Sequence, residues 1–272
     1  MAQTHSRITH NAAVAETRVS LGPVAVTAQP ASIVVQGGTS SLATLAHEIR
    51  GPLSAVALSS ELLMDDVDQL DAEQVRILAR RIHRGTIWLQ GLIENMLCDA
   101  AMREGQLRLA PESTDLVSLY REVEQLLEPL IRGRGQELRL VLRSPAPNVS
   151  VDRRRISQVL VNLLMNASKF SPTDSVIMVT IQLHGGSVRV AVSDRGVGLC
   201  EASVALFERF HRSENVLQAG IAGTGLGLSI VKGIVDAHGG TVGASNRRGG
   251  GARFWFQVPA DVEHTHVEGV SA

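Results

Sequence analysis

Aromatic residues are scarce in this chain: two Trp, one Tyr and five Phe, 3% of its 272 positions. A core without large rings must be filled by Leu, Val, Ile and Ala, which the 44% apolar content supplies. Cysteine is nearly absent too, with only Cys98 and Cys200. Two distant thiols make no disulfide framework and have no metal-ligand spacing, so both read as packing or surface residues in a reducing compartment. No window approaches the ~18 to 20 consecutive apolar residues of a membrane span, and no apolar stretch of signal-peptide type stands near Met1. Excess charge of one sign is missing as well: 26 Lys and Arg against 27 Asp and Glu leave a formal net charge of −1. That balance gives no electrostatic case for nucleic acid or an anionic membrane as partner. The short runs Arg153-Arg154-Arg155 and Arg247-Arg248 read as solvated charge at element ends. A soluble, cytoplasmic protein with room for about two domains is expected.

Residues 1–38 are rich in Ala, Val, Ser and Thr and are broken by Gly22-Pro23, Pro30 and Gly37-Gly38. A short strand at 32–35 is one option; a flexible N-terminal segment is the reading adopted. The segment is shorter than a sensory domain of about 100 residues. Input is therefore expected from an upstream sensory partner or from a ligand on the helices that follow.

Helical patterning starts near residue 39 and runs to about 66. Leu42, Leu45, Ile49 and Val56 fall on the a and d positions of a heptad, which puts His47 at f, facing solvent. The acidic stretch 65–71 reads as a turn, with Asp71 as N-cap and Gln74 in the matching third position. A second helix carries Val75, Leu78, Ile82, Leu89, Leu92 and Met96 in heptad register, with Gly85 at a d position. Residues 39–104 thus form an antiparallel hairpin with an exposed apolar seam. Either the hairpin docks on the downstream domain or a second copy covers it. A homodimeric four-helix bundle is the economical solution.

After Gly105 and Pro111 the pattern changes, and residues 110–260 alternate between helix and strand. Helices are expected at 114–131, 152–170 and 224–238. Strands are expected at 137–143, 241–245 and 252–258, with a hairpin of 176–183 and 187–192 turning at Gly185-Gly186. A polar, irregular segment spans 199–223, and 261–272 reads as a tail. Mixed strands with helices on one side make a two-layer α+β sandwich.

Four groups of residues carry chemistry. His47, flanked by Glu48 and held in water on a stiff helix, is a candidate nucleophile. Gly223-Thr224-Gly225-Leu226-Gly227-Leu228 opens a helix, where glycines let backbone N–H groups approach phosphate and the helix dipole favours negative charge. No Lys-Ser/Thr follows, so it is not a P-loop, and no strand leads directly into it, so it is not a Rossmann turn. Asp194-Arg195-Gly196-Val197-Gly198 follows a strand. There a buried carboxylate can accept the exocyclic amine of adenine, although an ordinary Asp-Gly turn fits the same residues. Asn162 and Asn166, at i and i+4 with Lys169 beyond them, present amides among apolar neighbours. Amide oxygens suit Mg²⁺ bridging phosphates.

In this order, the pieces resemble the histidine protein kinases of two-component systems, over about residues 40–259. His47-Glu48-Ile49-Arg50-Gly51-Pro52 resembles the phospho-acceptor box, and 162–170, ending in Lys169-Phe170, resembles the N box. Asp194 to Gly198 and Gly223 to Gly227 resemble the two glycine boxes. Phe207-Glu208-Arg209-Phe210 resembles the F box of a mobile lid over ATP. His238-Gly239-Gly240 and the run 249–254 match as well. The resemblance implies a dimerising phosphotransfer hairpin followed by a Bergerat ATP-binding domain. It also implies that His47 attacks the γ-phosphate of ATP while Glu48 orients the ring or takes its proton. Mg²⁺ would be held through Asn166 and Asn162, Asp194 would select adenine, and the glycine loop with Lys169 would hold the phosphates. The phosphoryl group would then pass to a separate response-regulator receiver domain.

Two features depart from relatives. Gyrase-like ATPases carry a water-activating Glu where Asn162 stands, so the amide favours transfer over hydrolysis. Many relatives carry Thr or Asn where Gly51 stands, one turn after the histidine, to position water for dephosphorylating the regulator. Gly51 has nothing to position it with, so weak phosphatase activity is expected. Gly51-Pro52 should also loosen the helix locally, because Pro52 removes the bond to the Glu48 carbonyl. Two other readings stay open: a catalytically silent kinase-like scaffold, and an ATPase or serine kinase of the same superfamily that lacks an acceptor helix.

Overall fold

The computed structural model describes residues 40–200, 205–211 and 223–261, with side chains from 45 onward. The optional strand at 32–35 and most of the tail beyond 260 lie outside the described residues.

Two long helices come first, α1 (Ser40–Asp65) and α2 (Ala72–Arg103), joined by a short 3₁₀ turn at Val67–Gln69. Asp71 caps α2 as its sequence demands. Its Oδ1 accepts from Gln74 N at 2.8 Å, and Gln74 Oε1 accepts from Asp71 N at 2.8 Å. Helix α1 runs unbroken through Pro52. Its neighbours in the hairpin supply the order that the missing hydrogen bond does not. Leu45 and Leu78 are buried and Val56 half-buried, as the heptad requires, and His47 is exposed. At Gly85 the helices nearly touch: a Cβ there would run into Val56 Cγ2 and lie 3.3 Å from the Pro52 carbonyl oxygen.

The hairpin leads into β1 (Glu112–Thr114), α3 (Leu116–Arg132), β2 (Glu137–Leu142), β3 (Val149–Val151) and α4 (Arg153–Phe170). Then follow β4 (Val176–His184), β5 (Ser187–Ser193), a 3₁₀ turn at Ala205–Phe207, α5 (Gly227–Ala237), β6 (Thr241–Asn246) and β7 (Ala252–Pro259). Five strands form one sheet in the order β2-β4-β5-β7-β6, with β2 and β4 parallel and the other pairs antiparallel. Ile177, Val179 and Ile181 of β4, Val188, Val190 and Val192 of β5, and Phe254, Phe256 and Val258 of β7 alternate onto one face. There they pack on Leu127 of α3, Leu164 of α4 and Ile234 of α5. This two-layer α/β sandwich of the Bergerat type is the layer architecture expected from the pattern.

Asp115 and Asp152 cap α3 and α4 rather than belonging to them. Two three-residue strands, β1 and β3, pair antiparallel and were not anticipated. Three residues are too few for a period-2 pattern to register. The last helix starts at Gly227, three residues later than the sequence suggested. Gly225 holds φ +71°, which takes the chain out of helical geometry, so Gly223-Thr224-Gly225 is an open loop. Among the described residues, no helix is long and apolar enough to cross a membrane.

Candidate active site

One face of α4, the end of β5 and the loop before α5 enclose a cavity of about 180 Å³. The structure brings Asn162, Asn166, Lys169, Phe170, Asp194, Gly198, Gly223, Thr224, Gly225, Gly227 and Leu228 to its walls. The i, i+4 spacing on α4 puts both asparagines on the same side, and the Lys169 ammonium lies where a side chain on residue 223 would go. Gly196, Leu226, Phe207 and Phe210 stand behind the walls. Gly196 N donates to Asp194 Oδ1 at 2.8 Å, Leu226 is fully buried, and Phe207 meets Phe254 edge-on with centroids 6.5 Å apart. Phe210 N donates to the Gly225 carbonyl at 3.0 Å, so the F box is tied by backbone to the glycine loop.

Asp194 is 2% exposed. Its Oδ1 accepts from Gly196 N at 2.8 Å and Ala252 N at 2.9 Å, which leaves Oδ2 as the remaining acceptor of a carboxylate on the cavity wall. Burial pushes its pKa above the usual carboxylate value, against the pull of the Ala252 and Gly196 amides and of Arg247. The turn that follows is clamped by β6 and the residue after it. Asn246 Oδ1 accepts from Leu199 N at 2.6 Å while its amide donates to Leu199 O at 2.8 Å. Arg247 donates to the Asp194 carbonyl.

Asn166 lines the cavity and its side chain makes no hydrogen bond among the described residues, so its oxygen is available to a cation. A hard cation that takes its remaining oxygens from phosphates and water suits such a donor. Asn162 is already engaged: its Oδ1 accepts from Asn95 Nδ2 at 2.8 Å and its Nδ2 donates to Asn95 Oδ1 at 3.1 Å. Among the described residues there is no group of three His, Cys, Asp or Glu side chains placed to hold a metal without phosphate.

The hairpin forms the rest of the wall. Ile87, Trp88, Gly91, Leu92 and Asn95 of α2 face the same cavity. Asn95 also accepts from Gln158 Nε2 at 3.0 Å, Asp99 pairs with Arg209 of the F box, and Cys98 is buried in the core of the downstream domain. Residues 88, 92, 95, 98, 99 and 102 recur at helical spacing, so the C-terminal half of α2 docks a second stripe onto the sandwich. The heptad reading assigned Leu89, Leu92 and Met96 to the hairpin seam and missed Asn95 and Asp99. Polar residues within an apolar stripe were the signal that could have found them.

On α1, Glu48 is buried although its neighbour His47 is exposed. Glu48 Oε1 accepts from Gly223 N at 2.5 Å, while Leu45 packs with Leu92 and Leu226. The helix that bears the imidazole is therefore bolted to the glycine loop by its adjacent carboxylate.

Two family models match parts of the chain. Residues 39–105 match the His Kinase A (phospho-acceptor) domain. Residues 151–262 match the histidine kinase-, DNA gyrase B- and HSP90-like ATPase. The chain belongs to the two-component histidine kinases. Sensor protein KdpD of Clostridium acetobutylicum is 31% identical over 224 residues, 81% of this chain and 24% of KdpD. The chain thus spans about a quarter of that relative's length. The crystal structure of full-length ShkA in complex with AMPPNP is 32% identical with a TM-score of 0.56, over 81% of this chain and 45% of ShkA. Histidine kinase AdeS of Acinetobacter baumannii is 26% identical with a TM-score of 0.53, over 79% of this chain and 98% of AdeS. In this histidine kinase, His47 lies inside the phospho-acceptor match, and every wall of the cavity except α2 lies inside the ATPase match.

Proposed function

We propose that this kinase phosphorylates its own His47 from ATP and passes the phosphoryl group to an aspartate of a separate response-regulator receiver domain. The observation that carries this reading is the Glu48–Gly223 hydrogen bond, which joins the imidazole-bearing helix to the loop built for phosphate. A ring nitrogen of neutral His47 attacks the γ-phosphorus, the bond to the β,γ-bridging oxygen breaks, and ADP leaves. Glu48, the adjacent carboxylate, orients the ring or takes its proton as the bond forms. Asp194 Oδ2 accepts the adenine 6-amino group, and the backbone amides of Gly225 and Gly227, with Lys169, hold the phosphates. Asn166, joined by Asn162 once that side chain leaves Asn95, would hold Mg²⁺, which supplies charge neutralisation on the phosphates. The ShkA–AMPPNP complex supports an adenine nucleotide as the ligand.

The working unit is a homodimer in the cytoplasm, with residues 39–104 as the dimerising phosphotransfer hairpin and 110–260 as the ATP-binding domain. Leu53, Leu58, Met64, Ile77, Ile93 and Leu97 are exposed along the hairpin, an apolar stripe that a second copy would cover. Phosphatase activity is weak because Gly51 offers no side chain to position water.

Two measurements test the proposal. Label from γ-labelled ATP should move from the kinase to an added receiver domain and become hydroxylamine-sensitive, as an acyl phosphate is; retention on the kinase with every receiver tried would sink the transfer step. Gly51→Thr should fit, since a Cβ at 51 meets nothing within 4 Å. It should speed the decay of a phosphorylated regulator at least several-fold, and an unchanged decay rate would remove Gly51 from the argument.

A further inference from the structure

The sheet has a second face, turned away from the helices and the ATP cavity. On it, Thr180 of β4 stands opposite Ala191 of β5, which stands opposite Trp255 of β7. Thr180 and Ala191 are small, and the row they form is the floor of a hollow of about 270 Å³. Three arginines rim it: Arg143 just past β2, Arg189 of β5 and Arg253 of β7. No Asp or Glu lines the hollow, and none of the three guanidinium groups forms an ion pair among the described residues.

Two observations set this hollow apart from a row of solvated surface charges. Arg189 is held in place: its guanidinium carbon lies 4.3 Å from the Trp255 ring centroid, and Nε and Nη2 both donate to Gln257 Oε1, at 3.1 and 2.7 Å. Thr180 faces the hollow at 4% exposure, and among the described residues its Oγ1 is the buried side-chain polar atom that has no hydrogen-bond partner. A buried hydroxyl left unpaired is costly, and natural structures rarely leave one without a partner.

We propose that this hollow is a binding site for a small phosphate-bearing anion, a phosphate monoester or diphosphate, distinct from the ATP cavity. Guanidinium forks match phosphate oxygens bidentately, and Thr180 Oγ1 donates to one further oxygen at the floor. At about 270 Å³ the hollow has room for a phosphate monoester or a diphosphate between the three guanidinium groups.

The test is calorimetric titration of the full chain with inorganic pyrophosphate while a saturating non-hydrolysable ATP analogue fills the nucleotide cavity. Wild type should bind one pyrophosphate per chain. Arg143→Gln/Arg189→Gln/Arg253→Gln should weaken binding about tenfold or more. Thr180→Val, which removes the orphan hydroxyl and keeps the shape, should weaken it about threefold without lowering the melting temperature. If the triple variant loses its fold, Thr180→Val decides alone. No binding by wild type, or affinity unchanged in the variants, overturns the proposal. So does capture by anionic phospholipid vesicles with no pyrophosphate heat, which would make the face a membrane contact.

Discussion

Asp194 carries two demands that pull against each other. One oxygen is spent on the Gly196 and Ala252 amides, which fixes the carboxylate's orientation, and the other must stay ionised in a place where burial opposes charge. Its folded pKa is raised, so ionising it costs stability. That cost is absent below the unfolded value and grows as pH rises through the folded one. Asp194→Asn keeps an oxygen for the two amides but turns an N–H₂ toward the adenine amine. ATP affinity should fall about tenfold or more, the worth of a charged hydrogen bond. The melting temperature at neutral pH should equal or exceed that of wild type, and the difference should close on acidification. Equilibrium binding of a fluorescent ATP analogue and thermal melts across pH check both halves. Asp194 was legible in the sequence because a strand end, a carboxylate and two glycines sit within five residues. Asn246 and Arg247, which clamp the same turn, were not: their partners lie 47 and 53 positions away, and no local pattern marks them.

Opposite signs are expected for the same substitution at two glycines of the hairpin. Gly51 on α1 is exposed and a Cβ there meets nothing within 4 Å. Gly51→Ala should stabilise by about 0.5–1 kcal/mol through helix propensity alone. Gly85 on α2 has Val56 in the way of any Cβ. Gly85→Ala should destabilise by about 1–3 kcal/mol despite the same gain in propensity, and Val56→Ala should restore part of the loss. Chemical denaturation of the four variants checks this; a stabilised Gly85→Ala would mean that the helices are not in close contact there. The heptad made the hairpin and the odd d-position glycine readable in advance. It could not say that the C-terminal half of α2 belongs equally to the nucleotide cavity. Asn95 and Asp99 become informative only once Gln158, Asn162 and Arg209 are placed beside them.

For the whole molecule, the order of boxes along the chain made both domains and the ATP chemistry readable. How the hairpin meets the sandwich depends on contacts between residues as far apart as Glu48 and Gly223, which no window of sequence contains. Because those two residues belong to one chain, phosphorylation is expected within a protomer. Heterodimers of His47→Gln with Asn166→Ala should therefore stay unlabelled: the chain with a working ATP site lacks its histidine, and the other lacks the site. Label appearing on the Asn166→Ala chain would show transfer across the dimer.

The central claim, that the cavity exists to phosphorylate His47, has one direct measurement. The full chain is incubated with Mg²⁺ and γ-labelled ATP, and the protein-bound label is tested for lability in acid and stability in alkali, in wild type and in His47→Gln. The account predicts an acid-labile, alkali-stable label on wild type and none on His47→Gln. A label that survives the substitution, or no label on wild type while ATP is bound, contradicts it.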